Sequence, residues 1–199
     1  MFKNSTLAIA ATAAVVSLAA CSPPSEHDST LKPGSSASAV PSSTTAPAAN
    51  VNDADVMFLQ MMYPHHAQAV DMSKLVPTRS QNQQVKDLAA AIENAQAPQM
   101  AQMSALLAGF GKPAPSATVA HPMPGLMTPQ QMTALQGLSG TAFDKMWLQM
   151  MIAHHQGAVD MAQDELHNGT NADVKAMAQA IMTAQQGEIA TMKGMLAGM

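Results

Sequence analysis

Along the chain, apolar residues recur every three or four positions in four long stretches, 52–75, 82–109, 141–167 and 171–199. That spacing lines one face of an α-helix, and the Ala, Met, Leu and Gln that dominate these stretches are good helix formers, so four helices are predicted. The start signals agree. Asn52 precedes Asp55 and Thr141 precedes Asp144, each an N-cap residue with an acid three positions on, while Asn82 and Asn171 open the second and fourth stretches. The breaks at 76–81 and 168–170 are short, so each helix pair is expected to fold back as an antiparallel hairpin. Between the hairpins, 110–140 carries Pro113, Pro115, Pro122, Pro124 and Gly125 and reads as a crossover. Within it, Thr128-Pro129-Gln130-Gln131 opens a short capped helix that runs to about Gln136.

The two hairpins are copies of one unit. Asp55–Met72 reads DVMFLQMMYPHHAQAVDM and Asp144–Met161 reads DKMWLQMMIAHHQGAVDM, with 12 of 18 positions identical. A constant offset of 89 aligns 55–110 with 144–199 without a gap, and 25 of 56 positions agree. One hairpin alone cannot bury its apolar stripes, but two can cover each other. The expected fold is all-α: a ferritin-like four-helix bundle of two duplicated antiparallel hairpins, 55–110 and 144–199, joined by a long crossover over 111–143.

The N-terminal region follows other rules. Lys3, an apolar run from Leu7 to Ala20 and then Leu18-Ala19-Ala20-Cys21 have the order of a lipoprotein signal peptide with its cleavage box, so residues 1–20 are excluded from the fold. The run falls short of the roughly 20 apolar residues of a comfortable membrane span. Cys21 is the single cysteine, which removes disulfides and thiolate metal sites and leaves lipidation as its expected role. Residues 21–51 are rich in Ser, Pro, Ala and Thr and read as a disordered tether, placing 52–199 roughly 30 Å from a membrane anchor. The expected location is therefore the cell envelope, outside the cytoplasm, with the membrane contacted through lipid alone.

Composition narrows the chemistry. The net charge is −4 and Arg79 is the single arginine, so no basic patch exists and nucleic-acid binding is excluded. Aromatics are scarce, whereas methionine reaches 19 of 199 residues. On a helical wheel, Met57, Met61, His65, Gln68 and Met72 share an arc of about 80°, and Met146, Met150, His154 and Met161 repeat it. His66 and His155 sit about 100° away, each one turn after Met62 and Met151. Each repeat thus carries two Met-x-x-x-His pairs side by side, Met61–His65 with Met62–His66 and Met150–His154 with Met151–His155. Residues four apart on a helix face the same way and can share a ligand. Neighbouring His cannot readily hold one ion, so one is expected to face the bundle and the other its edge.

Thioethers are soft and neutral, and imidazole suits copper as well. A Met/His set without thiolate is a rational way to hold Cu(I), or Ag(I), in an oxidising compartment. The crossover adds His121, Met123 and Met127 as a secondary cluster. The bland alternative is that methionine packs cores adaptably, which is the expected role of Met103, Met177 and Met192. Asp71 and Asp160 are read as solvated, and His27 and His167 stay unassigned. Pro64, in the middle of the first helix, removes a donor and suggests a kink that Ala153 in the second repeat lacks. Pro98, aligned with Gly187, suggests a second bend.

The segment Phe143–Met161, with F-D-x-x-W-L-x-x-M-I-x-H-H-Q-G-A-V-x-M, resembles the signature of the domain-of-unknown-function 305 family, and Met127-Thr128-Pro129 and Ile181, Gln185, Glu188-Ile189 and Met192 fit it too. The resemblance implies an exported four-helix bundle, with Met/His copper binding in some members. It carries the HH and Met positions onto both repeats and marks Glu188 on the last helix as a further candidate, although Gln99 stands at that place in the first repeat. The reading is a non-enzymatic copper protein that buffers, chaperones or sequesters Cu(I), with a metal ion as ligand and an unidentified transfer partner. Alternatives are a scaffold whose Met face binds an apolar partner, a ferritin-like oxidase, and a sacrificial methionine oxidant sink. The oxidase needs Glu-x-x-His motifs, and none occurs.

Overall fold

The computed structural model describes residues 50–118 and 123–199. The leader, the tether with Cys21, and His121 lie outside the described residues. The described chain is all-helical: α1 (Asp53–Arg79), α2 (Gln83–Gly109), a short α3 (Pro129–Gln136), α4 (Gly140–Asn168) and α5 (Ala172–Ala197). The chain folds as the expected helical bundle. α1 packs on α2 and α4 on α5, and the two hairpins meet chiefly through α1 against α4.

Local chemistry sets the helix starts. Asn52 caps α1 in a capping box, with its side chain accepting from Asp55 N while the Asp55 carboxylate takes the Asn52 N–H. Asn82 and Asn171 each accept two backbone N–H bonds at the starts of α2 and α5. Thr128 and Gln131 form a second capping box, with Pro129 leading α3. The expected cap at Thr141 does not form. α4 begins at Gly140, after Ser139, without a side-chain cap bond. The helix thus starts two residues earlier than expected, Phe143 packs in the apolar core, and Asp144 is buried instead of capping. α1 is continuous through Pro64 and Pro77, and α2 through Pro98.

The direction of the central contact follows from its bonds. Asn52 donates to Asn168 O at 2.8 Å, His65 lies against His154, and Trp147 Nε1 donates to Met72 O at 3.1 Å. Rising numbers on α1 meet falling numbers on α4, so the two helices are antiparallel. With an offset of 89, His154 is the repeat copy of His65, and the mutual contact of copies places the pseudo-twofold axis between them. Core forms on either side of this crossing. One cluster gathers Met72, Val76, Phe143, Trp147, Met150 and Met151, and the other gathers Phe58, Leu59, Met62, Ala158, Met161 and Ala162.

Candidate metal centre

At the crossing lie four imidazoles, His65, His66, His154 and His155, each with 0% exposure. The expectation that one of each adjacent pair would face the edge needs correction: both are buried, in different directions. His65 and His154 face each other across the hairpin interface, ring centroids 3.8 Å apart and tilted by 39°. His66 and His155 face the second helix of their own hairpins. His66 Nε2 lies 2.8 Å from Gln99 Oε1 on α2, and His155 Nε2 lies 2.6 Å from Glu188 Oε2 on α5.

The Nε2 atoms of His65, His66 and His155 each face an oxygen: the Pro124 carbonyl at 3.2 Å, the Gln99 amide and the Glu188 carboxylate. A neutral ring donating from Nε2 keeps its lone pair on Nδ1. Those three Nδ1 atoms, and both nitrogens of His154, are buried without any hydrogen-bond partner. Buried acceptors are seldom left bare, because each has given up its bond to water. Burial also keeps His65, His66 and His154 neutral. It pushes His65 down to about 3, with the neighbouring His66 adding repulsion, and His66 down to about 4. His154 is held well below the ordinary value by burial and by His65, His155 and His66 around it. Neutral imidazoles with free, oriented lone pairs are what a transition metal requires.

The crossover is fastened over this row by a duplicated position that has diverged. Gln68 donates to Met127 O at 2.9 Å and accepts from Met127 N at 2.7 Å. Its repeat partner is Gly157, where a Cβ would collide with the Pro124 carbonyl. Gly125, at φ +78, lies against the Ala153 and His154 carbonyls in the same way. One repeat thus bonds the crossover and the other makes room for it, which brings the Pro124 carbonyl to His65.

The thioethers divide by environment. Met62, Met72 and Met151 are fully buried, Met150 and Met161 nearly so, and Met61 and Met146 are partly buried against the clusters. Met57 is 58% exposed. Met127 is buried and Met123 partly buried beside Pro124. Met103, Met177 and Met192 are core residues. Among the described residues, no three His, Cys, Asp or Glu side chains are grouped to hold one ion.

The Gln99 contact escaped the sequence reading, although its position is the repeat equivalent of Glu188. A second buried group was also missed. Asp55 accepts from Asn52 N, Thr170 N, Thr170 Oγ1 and Asn171 N, and these donors outweigh its burial and hold it below the usual carboxylate range. Beside it, Glu165 is 2% exposed, and burial, a hydrogen bond to Asp55 and the repulsion of the Asp55 charge push it up to about 8. No motif announces this pair, because its partners lie more than a hundred residues apart.

The profile of the domain-of-unknown-function 305 family matches residues 55–196. The chain belongs to DUF305. A DUF305 fragment from Deinococcus radiodurans is 35% identical, covering 75% of this chain and 99% of its own, with a TM-score of 0.69. A DUF305 protein of Streptomyces coelicolor, inferred to be secreted, is 33% identical over 73% of this chain and 93% of that one, at 0.68. CopM in its Cu(I)-bound form is 26% identical over 72% of this chain and 96% of that one, at 0.62, and its silver-soaked form gives 27%, 72%, 95% and 0.61. None of the curated proteins matches significantly. Within DUF305, the duplicated His pair of this chain lies at the contact between its two hairpins.

Proposed function

We propose that this DUF305 protein is a copper-binding lipoprotein of the cell envelope that holds Cu(I), with Ag(I) as its chemical mimic, on imidazoles and neighbouring thioethers where α1 crosses α4. It acts as a buffer, chaperone or sequestering agent and not as an enzyme. The observation that carries this reading is the row of fully buried imidazoles with nitrogens that meet no hydrogen-bond partner. Cu(I)- and Ag-bound forms of CopM, a relative of the same fold, support the choice of metal. A location outside the cytoplasm is supported by the secreted Streptomyces relative and by the leader and Cys21 of this chain. No described helix is long and apolar enough to cross a membrane, so a membrane tie would rest on the lipid at Cys21.

The test is competition for Cu(I) against a chromophoric chelator, comparing wild type with a variant carrying His65→Leu and His154→Leu. Leucine fills comparable volume at the axis, so helicity should survive. Loss of at least about tenfold in affinity, roughly 1.4 kcal/mol, is expected. Equal competition by wild type and a helical variant would reduce the row to core packing.

A further inference from the structure

The four imidazoles are enclosed, so anything that reaches them needs a way in, and His66 has a neighbour that borders solvent. The His66 ring is fully buried, and its Nε2 lies 2.8 Å from Oε1 of Gln99, which is itself only half-buried. Gln99 also lines an open groove of about 450 Å³ between the second helices of the two hairpins, with Gln102 and Leu106 on α2 and Asp173, Ala176 and Ala180 on α5. One side chain thus touches both the buried ring and the groove.

The groove has a direction. α2 folds back on α1 and α5 on α4, and α1 is antiparallel to α4, so α2 and α5 also run in opposite directions. Two helical turns, about 10 Å, separate Leu106 from Gln99 and Asp173 from Ala180. The groove therefore runs from Leu106 and Asp173 to Gln99 and Ala180. Asp173 is exposed and places a carboxylate at the end far from His66, where it would draw a cation in. Ala176 and Ala180 are exposed and short, which keeps the α5 wall open.

The duplicated position shows why this copy can open. Where Gln99 meets His66, Glu188 meets His155 Nε2 at 2.6 Å. A bond to a carboxylate is shorter and roughly twice as strong as one to an amide. Gln99 makes the weaker bond, and by turning toward the groove it exchanges that bond for one to water at little net loss. His155 is held and His66 can be released.

We propose that the α2–α5 groove is the entrance to the imidazole row and that Gln99 is its gate: the amide swings off His66 Nε2 into the groove, and a soft monovalent cation enters or leaves along the ring edge this uncovers. The copper reading supplies the identity of the ion, whereas the gate is a property of the metal-free chain.

The purified metal-free full chain is treated with diethyl pyrocarbonate, which acylates accessible neutral imidazoles, and each histidine is followed by peptide mass spectrometry. His66 should react at least about fivefold faster than His155, Gln99→Ala should speed His66 alone by a further factor of about five, and Ala180→Phe should slow it by as much. Both substitutions sit at half-buried or exposed positions, so helicity should match wild type; Ala176→Phe serves in place of Ala180→Phe if it does not. Release of Ag(I) to a chromophoric chelator, timed by stopped flow, should be slower in Ala180→Phe while its Kd stays within about twofold of wild type. Equal reactivity of His66 and His155, or a His66 rate that ignores the groove substitutions, would overturn the gate, even with silver bound on the imidazoles and the copper reading intact. If His66 reactivity follows the substitutions while silver is not bound at all, the gate stands and the copper reading falls.

Discussion

At the residue scale, the decisive property of the histidines is charge suppression by burial. His65, His66 and His154 have folded-state values below the ordinary 6.5, so the unfolded chain binds protons more readily than the native one. Their contribution to stability is therefore complete above about pH 6.5 and is lost as pH falls through about 4 and then 3. Thermal melts of the metal-free protein should show Tm falling steadily from pH 7 to pH 4, by an amount equivalent to a few kcal/mol. The His65→Leu, His154→Leu variant should show a visibly flatter profile. A second residue-scale expectation concerns Glu188, which faces His155 Nε2 at 2.6 Å and so aims Nδ1 inward. Glu188→Gln should weaken copper binding by about tenfold without loss of helix, since orienting partners of metal-bound histidines carry effects of that size. The ¹⁵N signature of the His155 tautomer reports whether the effect comes through the ring.

At the element scale, caps and close approaches hold the parts in register. Asn52 both caps α1 and donates to Asn168 O at the end of α4, so Asn52→Ala should cost about 1–2 kcal/mol in urea denaturation. Gly157 has the opposite role, since it is the absence of a side chain that admits the crossover. Gly157→Ala places a methyl against the Pro124 backbone, which cannot yield as a flexible side chain would. A loss of about 1–3 kcal/mol is expected, with the signal of His65 Nε2–H moving because its carbonyl partner has shifted. Helix positions, the caps at Asn52, Asn82, Asn171 and Thr128, and the extent of α3 were legible in the sequence, because caps and periodicity are local. The start of α4 was not. Thr141 has the right chemistry for a cap, yet α4 begins ahead of it at Gly140, with Phe143 and Asp144 of its first turn buried.

At the scale of the whole molecule, the pseudo-twofold axis between His65 and His154 means that the interface of the two hairpins is nearly self-complementary. A fragment of the first hairpin, 50–112, should therefore be poorly helical when dilute and gain helix with concentration as it dimerises about that axis. Circular dichroism and sedimentation over a hundredfold range of concentration check this. A monomeric, fully helical fragment would show that the hairpins do not depend on each other for their cores.

The sequence by itself determined the helices, the duplication and the repeated Met/His spacing, because periodicity, capping and repeat identity are properties of neighbours along the chain. Tertiary structure alone decided that all four imidazoles are enclosed, that Gln99, Glu188 and the Pro124 carbonyl face the Nε2 atoms of three of them, and that Gln99 also lines a groove between α2 and α5. The physical reason is that a helical wheel gives direction around one axis only. Whether a direction meets solvent, a second helix or a crossover depends on how two hairpins cross, and that is settled by the joint fit of side chains up to more than a hundred residues apart.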